Sequence, residues 1–308
     1  MDKKILIAVD SSVYCRCCIK YAISIATDVD RLHYTLFHVQ RPISHYLIDE
    51  AKRQPDKKIE LDRVIQKNTE AAFYLLDSLK TMMIQEGVHP DHIEVVTQPK
   101  MNGTARDIIT AAENGSFDAV VIGRRGISRL QETFSGSVTS NLIEHSRVVP
   151  LWIVDGEIAS NRIMIAVDGS ESSLRAVDHL CFMLTGNTRI VVTLFHVIPL
   201  FGDYCQINLE SSDDMEKMLI QGDKQCIDNF MVIARKRFET AGLTDAQIRF
   251  KVVEKRLNPG KAIVEELEKE KFGTVVIGRS GIDRAFFMGN VSRYVLNKAT
   301  NCALWMVS

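Results

Sequence analysis

The stretch Ala119-Val120-Val121-Ile122-Gly123-Arg124-Arg125-Gly126-Ile127-Ser128-Arg129 returns 155 residues later as Thr274-Val275-Val276-Ile277-Gly278-Arg279-Ser280-Gly281-Ile282-Asp283-Arg284. Each copy opens with a short, β-branched apolar run that reads as a buried strand. Each then crosses a loop punctuated by glycine and arginine. In the first copy the loop ends at Gly136-Ser137, and Val138 to Glu144 reads as the start of a helix. Strand, glycine loop and helix N-terminus together suit a phosphate. Glycine allows close backbone approach. The first helical turn offers unpaired N–H groups and partial positive charge. Ser137 adds a hydroxyl, and Arg124, Arg125 and Arg129 add fixed charge. The same residues also suit a plain turn and helix cap. The repetition favours the ligand reading.

The rest of the chain repeats as well. Lys4-Ile5-Leu6-Ile7-Ala8-Val9-Asp10-Ser11-Ser12 matches Arg162-Ile163-Met164-Ile165-Ala166-Val167-Asp168-Gly169-Ser170 at an offset of 158. Thr35-Leu36-Phe37-His38-Val39 matches Thr193-Leu194-Phe195-His196-Val197 at the same offset. Leu151-Trp152-Ile153-Val154 matches Leu304-Trp305-Met306-Val307 at 153. A period this long marks a duplicated domain, not a solenoid unit. The boundary falls in the polar linker near Gly156 to Ser160, giving domains 1–156 and 161–308.

Within the first copy, strands are expected at 4–10, 32–39, 92–98, 117–122 and 149–154. Helices are expected at 13–26, from Leu61 to near Gly87, from Gly103 to Glu113, and at 137–146. Residues 40–60, with Pro42 and Pro55, read as a loop holding one short helical piece. Strict alternation of strand and helix predicts an α/β fold. In each half it implies a parallel sheet with helices on both faces.

The 308 residues fit about two domains. With 46% apolar and 25% charged residues the composition is that of a globular protein, and the formal net charge of −1 gives no reason to expect nucleic acid or a membrane surface as partner. No apolar run reaches the ~20 residues of a membrane helix. Met1-Asp2-Lys3-Lys4-Ile5 leads straight into a strand without an apolar leader, so a cytoplasmic location is expected. Seven cysteines in such a chain argue for reduced thiols. Cys15, Cys17 and Cys18 match no common zinc spacing, and read as small packing residues on a helix.

In a doubly wound sheet the ligand crevice lies at the carboxyl ends of strands where the order reverses. If the sheet order is 3-2-1-4-5, that reversal lies between strands 1 and 4. Asp10 and Gly123 therefore meet in the first domain, and Asp168 and Gly278 in the second. The carboxylate suits a ribose hydroxyl or an adenine amino group, and the glycine loop suits phosphates.

These residues carry a resemblance. Each half resembles a universal stress protein domain, and the chain as a whole resembles a tandem member of that family. The carriers are the Val-Asp-Gly-Ser-type end of strand 1, the His-Val end of strand 2, and the motif Gly-x2-Gly-x9-Gly-Ser/Thr, here Gly123, Gly126, Gly136 and Ser137. The resemblance implies an α/β fold of two Rossmann-like doubly wound domains, each a five-stranded parallel sheet (order 3-2-1-4-5) with helices on both faces, binding ATP or AMP, with or without Mg. It assigns Asp10 to ribose or base, the Val39 backbone to adenine, Gly123 and Gly126 to the ribose and phosphate path, and Gly136 and Ser137 to the phosphates; the charge of Arg124 makes it a further candidate for the phosphates. The corresponding positions in the second half are Asp168, Val197, Gly278, Gly281, Gly289 and Asn290. There the loop departs from the pattern. Seven residues, not nine, separate Gly281 from Gly289, and Asn290 replaces the hydroxyl residue. In turn, Ser11 stands where the second half has Gly169. The resemblance also implies intramolecular pairing of the two domains through Val149–Val154 and Asn301–Val307. A homodimer of the tandem chain stays open.

Three functions compete. The first is an adenine-nucleotide-binding regulatory stress-response protein, acting mainly through domain 1. The second is a scaffold with degenerate sites, which the shortened second loop suits. The third is a slow ATP hydrolase, although no Walker motif surrounds Pro259-Gly260-Lys261-Ala262 and no Gly-x-Gly-x-x-Gly follows strand 1. His38 and His196 end strand 2 in each half, and read as hydrogen-bonded structural residues more readily than as catalytic ones.

Overall fold

A computed structural model describes residues 2–26, 29, 31–124, 138–199, 213–256, 258–279 and 288–308. The chain forms two compact units, Met1–Ser24 with Arg31–Val149 and Ile25–Asp30 with Pro150–Ser308.

The first unit contains β1 (Lys3–Ala8), α1 (Val13–Ala26), β2 (Leu32–Val39), α2 (His45–Arg53), α3 (Pro55–Gln85), β3 (Ile93–Gln98), α4 (Thr104–Asn114), β4 (Ala119–Gly123) and α5 (Val138–His145). Its strands run β3-β2-β1-β4 and all pair in parallel. Ile5 lies opposite Tyr34 on one side and Ala119 on the other. Ile5, Leu6 and Ile7 are all fully buried, as expected of a central parallel strand covered on both faces.

Residues 40–60 are more helical than expected. They hold all of α2 and the start of α3, separated by Gln54. Pro55 occupies the first turn of α3, where its missing N–H breaks no helical bond. It starts the helix that its presence argued against. Of the 31 residues of α3, Ala72, Leu76, Leu79 and Met83 are buried, all in its second half, while its first part packs with α2.

The second unit contains β5 (Leu151–Val154), β6 (Arg162–Ala166), α6 (Glu171–Leu184), β7 (Val191–Pro199), α7 (Asp213–Thr240), β8 (Ile248–Arg256), α8 (Pro259–Glu270), β9 (Thr274–Gly278), α9 (Asn290–Lys298) and β10 (Ala303–Val307). The order β8-β7-β6-β9-β10 is the 3-2-1-4-5 arrangement in full. Strand β5 adds to β10 antiparallel, with Trp152 opposite Trp305. The two strands expected to pair do so. Among the described residues no helix is long and apolar enough to cross a membrane.

The β5–β10 pair buries the chain's two tryptophans against each other, with indole planes 3° apart and centroids at 3.8 Å. Trp152 Nε1–H donates to His179 Nε2 at 3.1 Å, which requires the imidazole proton to be on Nδ1. A second proton would place one N–H against another. Burial pushes the His179 imidazole down to about 3. The unfolded chain, with an ordinary histidine near 6.5, then binds more protons than the native one below that pH. The stabilising contribution is complete above pH 6.5 and is lost as pH falls toward 3. The unfolding free energy from urea titrations followed by tryptophan fluorescence should drop between pH 7.5 and 5 by up to about 2 kcal/mol. In His179→Gln this part of the pH dependence should vanish.

Candidate functional site

In the first unit the carboxyl ends of β1, β2 and β4 are tied together by the backbone. Val9 N–H donates to Phe37 O at 2.9 Å, continuing the β1–β2 ladder one residue past the strand. His38 Nδ1–H donates to Val9 O at 2.9 Å. This imidazole is a clamp on a strand-end carbonyl, in line with its structural reading. Asp10 follows directly. Its Oδ1 accepts from Ser12 N at 2.9 Å and turns the chain into α1.

These ends border a cavity of about 410 Å³. Asp10, Tyr14, Val39, Gly123 and Thr139 line its centre and one side. Thr139, in the first turn of α5, donates through Oγ1 to Gly123 O at 3.2 Å. That bond brings the start of α5 to the end of β4. The topology thus assembles Asp10, Val39 and Gly123, which are far apart in sequence. Arg124 is buried and stands outside the cavity lining. Arg125, Gly126, Arg129, Gly136 and Ser137 lie outside the described residues, as does Gly281. On the other side of Asp10 the cavity is bordered by Arg41 and Lys100. The sequence reading passed over both. The signal was positional: each sits just beyond the carboxyl end of a strand, where a doubly wound sheet presents side chains to its crevice.

Cys15 also borders the cavity, but burial pushes its thiol up to about 12, so it stands there as a neutral apolar group. Cys18 is buried and shifted upward by the same cause. Among the described residues no three His, Cys, Asp or Glu side chains come together to hold a metal ion.

The second unit repeats the clamp. His196 Nδ1–H donates to Val167 O at 2.8 Å, and Ser292 Oγ donates to Gly278 O at 2.8 Å in place of Thr139. Its strand-end groups are also engaged by the protein. Asp168 Oδ1 accepts from Ser170 N at 3.0 Å and from Ser173 Oγ at 2.5 Å. Gly289 N–H donates to Arg279 O at 3.1 Å, and Arg279 N–H to Val307 O at 2.8 Å, closing the base of the shortened loop. Asn290 is the exposed first residue of α9, and Val197 is buried in β7.

The family model for the universal stress protein family matches residues 1–155 and again 160–308. The fold resembles a universal stress protein from Archaeoglobus fulgidus DSM 4304, with a TM-score of 0.68 at 20% identity over 99% of this chain and 98% of that one. It also resembles a functionally unknown protein from Pseudomonas aeruginosa PAO1, with a TM-score of 0.61 at 14% identity over 99% and 92% of the two chains. At these identities the likeness is one of fold. No curated protein matches the chain.

The glycines that end β4 and β9 have different packing reasons. A Cβ on Gly278 would lie 2.4 Å from Ser172 Oγ and 3.0 Å from the Ser172 carbonyl carbon, which cannot rotate away. A Cβ on Gly123 would meet Tyr14 Cβ at 3.3 Å and Cys18 Sγ at 3.4 Å, which small shifts absorb. Gly278→Ala should therefore lose about 1–3 kcal/mol and Gly123→Ala less than about 1 kcal/mol. Urea unfolding of the two variants against the parent chain measures the difference.

Proposed function

Because the chain belongs to the universal stress protein family, we propose that it is an adenine-nucleotide-binding regulator of the stress response, taking ATP or AMP mainly through its first domain. The observation that carries this reading is the meeting of Asp10, Val39 and Gly123 around one cavity of about 410 Å³. That volume falls within the range of small-molecule sites, roughly 300–1,000 Å³. The Asp10 carboxylate accepts from a ribose hydroxyl. The Val39 backbone meets the base. The ends of β4 and α5 receive the phosphates, as a helix N-terminus does. Mg2+ needs no protein cage here: it arrives on the phosphates, with water completing its octahedron.

The second domain is proposed to serve as the partner half. Its loop is two residues shorter, Asn290 stands for the hydroxyl residue, and the Gly289 N–H is spent inside the loop base. This favours a structural or interaction role for that half over a second nucleotide site of equal strength. The domains are taken as 1–156 and 161–308, and the location as the cytoplasm.

Denaturing the purified chain and identifying released nucleotide by mass spectrometry tests the reading. One ATP or AMP per chain is expected. Asp10→Ala should weaken adenine-nucleotide binding at least tenfold, about 1.4 kcal/mol. Asp168→Ala should leave the stoichiometry at one. Two nucleotides per chain would overturn the asymmetry between halves. No nucleotide on purification and no binding of added Mg-ATP would overturn the proposal and leave a scaffold.

A further inference from the structure

The nucleotide cavity is cationic on the side of Asp10 away from Gly123. The strand order β3-β2-β1-β4 sets Asp10, after β1, in the middle. Gly123 ends the strand on one side. Arg41 and Lys100 follow the two strands on the other. Neighbouring strands are ~4.8 Å apart. The two anion-attracting ends therefore lie within one or two strand spacings of the central carboxylate.

Both cations stand on backbone that is held in place. Gln40 N–H donates to Gln98 O at 2.9 Å, carrying the β2–β3 ladder up to the residue before Arg41. The Arg41 carbonyl accepts from Asn68 Nδ2 on α3 at 3.4 Å, and Pro42 restricts Arg41 to extended backbone. Lys100 belongs to a loop organised by Asp107, which is 3% exposed. Its two carboxylate oxygens accept from Met101 N and Asn102 N, each at 2.9 Å. Neither the Arg41 guanidinium nor the Lys100 ammonium has an ion pair or hydrogen bond among the described residues. Thr104, in the first turn of α4, borders the same cavity. At the offset of 158 the second half has Pro199 where the first has Arg41.

A neutral base uses two positive charges poorly, whereas a phosphate uses both. We propose that the preferred ligand is a nucleotide bearing a second phosphate on its ribose, separate from its 5′ phosphate chain. Arg41 and Lys100 hold that second phosphate, the ribose sits over Asp10, and the 5′ phosphates sit at the Gly123 side. This rests on the nucleotide reading of the cavity and narrows it to a chemical class.

Isothermal titration of the full chain with AMP and with adenosine 3′,5′-bisphosphate, at one fixed salt concentration, tests it. The bisphosphate should bind at least tenfold more tightly than AMP. In the double variant Arg41→Ala/Lys100→Ala that ratio should fall below threefold. Arg41→Lys alone should keep most of it. Both side chains are exposed, so the variants are expected to fold, and circular dichroism verifies this. If AMP binds but the bisphosphate binds no better, or if its advantage survives the double variant, the second-phosphate site is wrong and the nucleotide reading stands. If neither ligand binds, both fall together.

Discussion

The pairing of β1 with β2 on one side and β4 on the other is the constraint on which the first unit depends. Successive strands of a parallel sheet need a crossover, and the crossovers to either side of β1 leave toward opposite faces. A gap opens where they part. Asp10, just after β1, and Gly123, the last residue of β4, border it. The His38 clamp on Val9 O then fixes the rim. The side chain of Asp10 is presented because the backbone around it has no other route.

The duplicated halves keep this frame and differ in what they do with it. Both have the histidine clamp and both have a hydroxyl on the strand-4 carbonyl. In the second half a serine stands against Gly278 where the first has Tyr14, and Asp168 is drawn into the hydroxyls of its own helix start. The divergence is small in residue count and large in chemistry.

Much of the fold was legible because it was written twice. A single Ala-Val-Val-Ile run is ambiguous between strand and helix. Its recurrence with the same glycine and arginine spacing is not. Alternation of strand and helix implies the parallel sheet; the strand order that joins Asp10 to Gly123, and the place of Val39, come with the family resemblance. Pro55 misled because proline is read first as a breaker, yet at the first turn of a helix it costs nothing. Arg41 and Lys100 were invisible for a different reason. Neither belongs to a motif, and each matters only through which strand end it follows. That is a property of sheet order, not of local sequence.

The Trp152–Trp305 register joins positions 153 residues apart. Such a contact closes late. While the chain emerges from the ribosome, β5 is made at the very start of its unit, and β10, the strand it must lie beside, is made after all the others. Strand β9 waits for the same neighbour on its other side. Until β10 appears, two strands present unpaired edges, one of them carrying a bare indole. Non-local pairing of this kind slows folding and exposes sticky intermediates. The nascent second unit is therefore the stage at which this protein has most need of a chaperone, whereas every strand of the first unit's sheet has been made before β5.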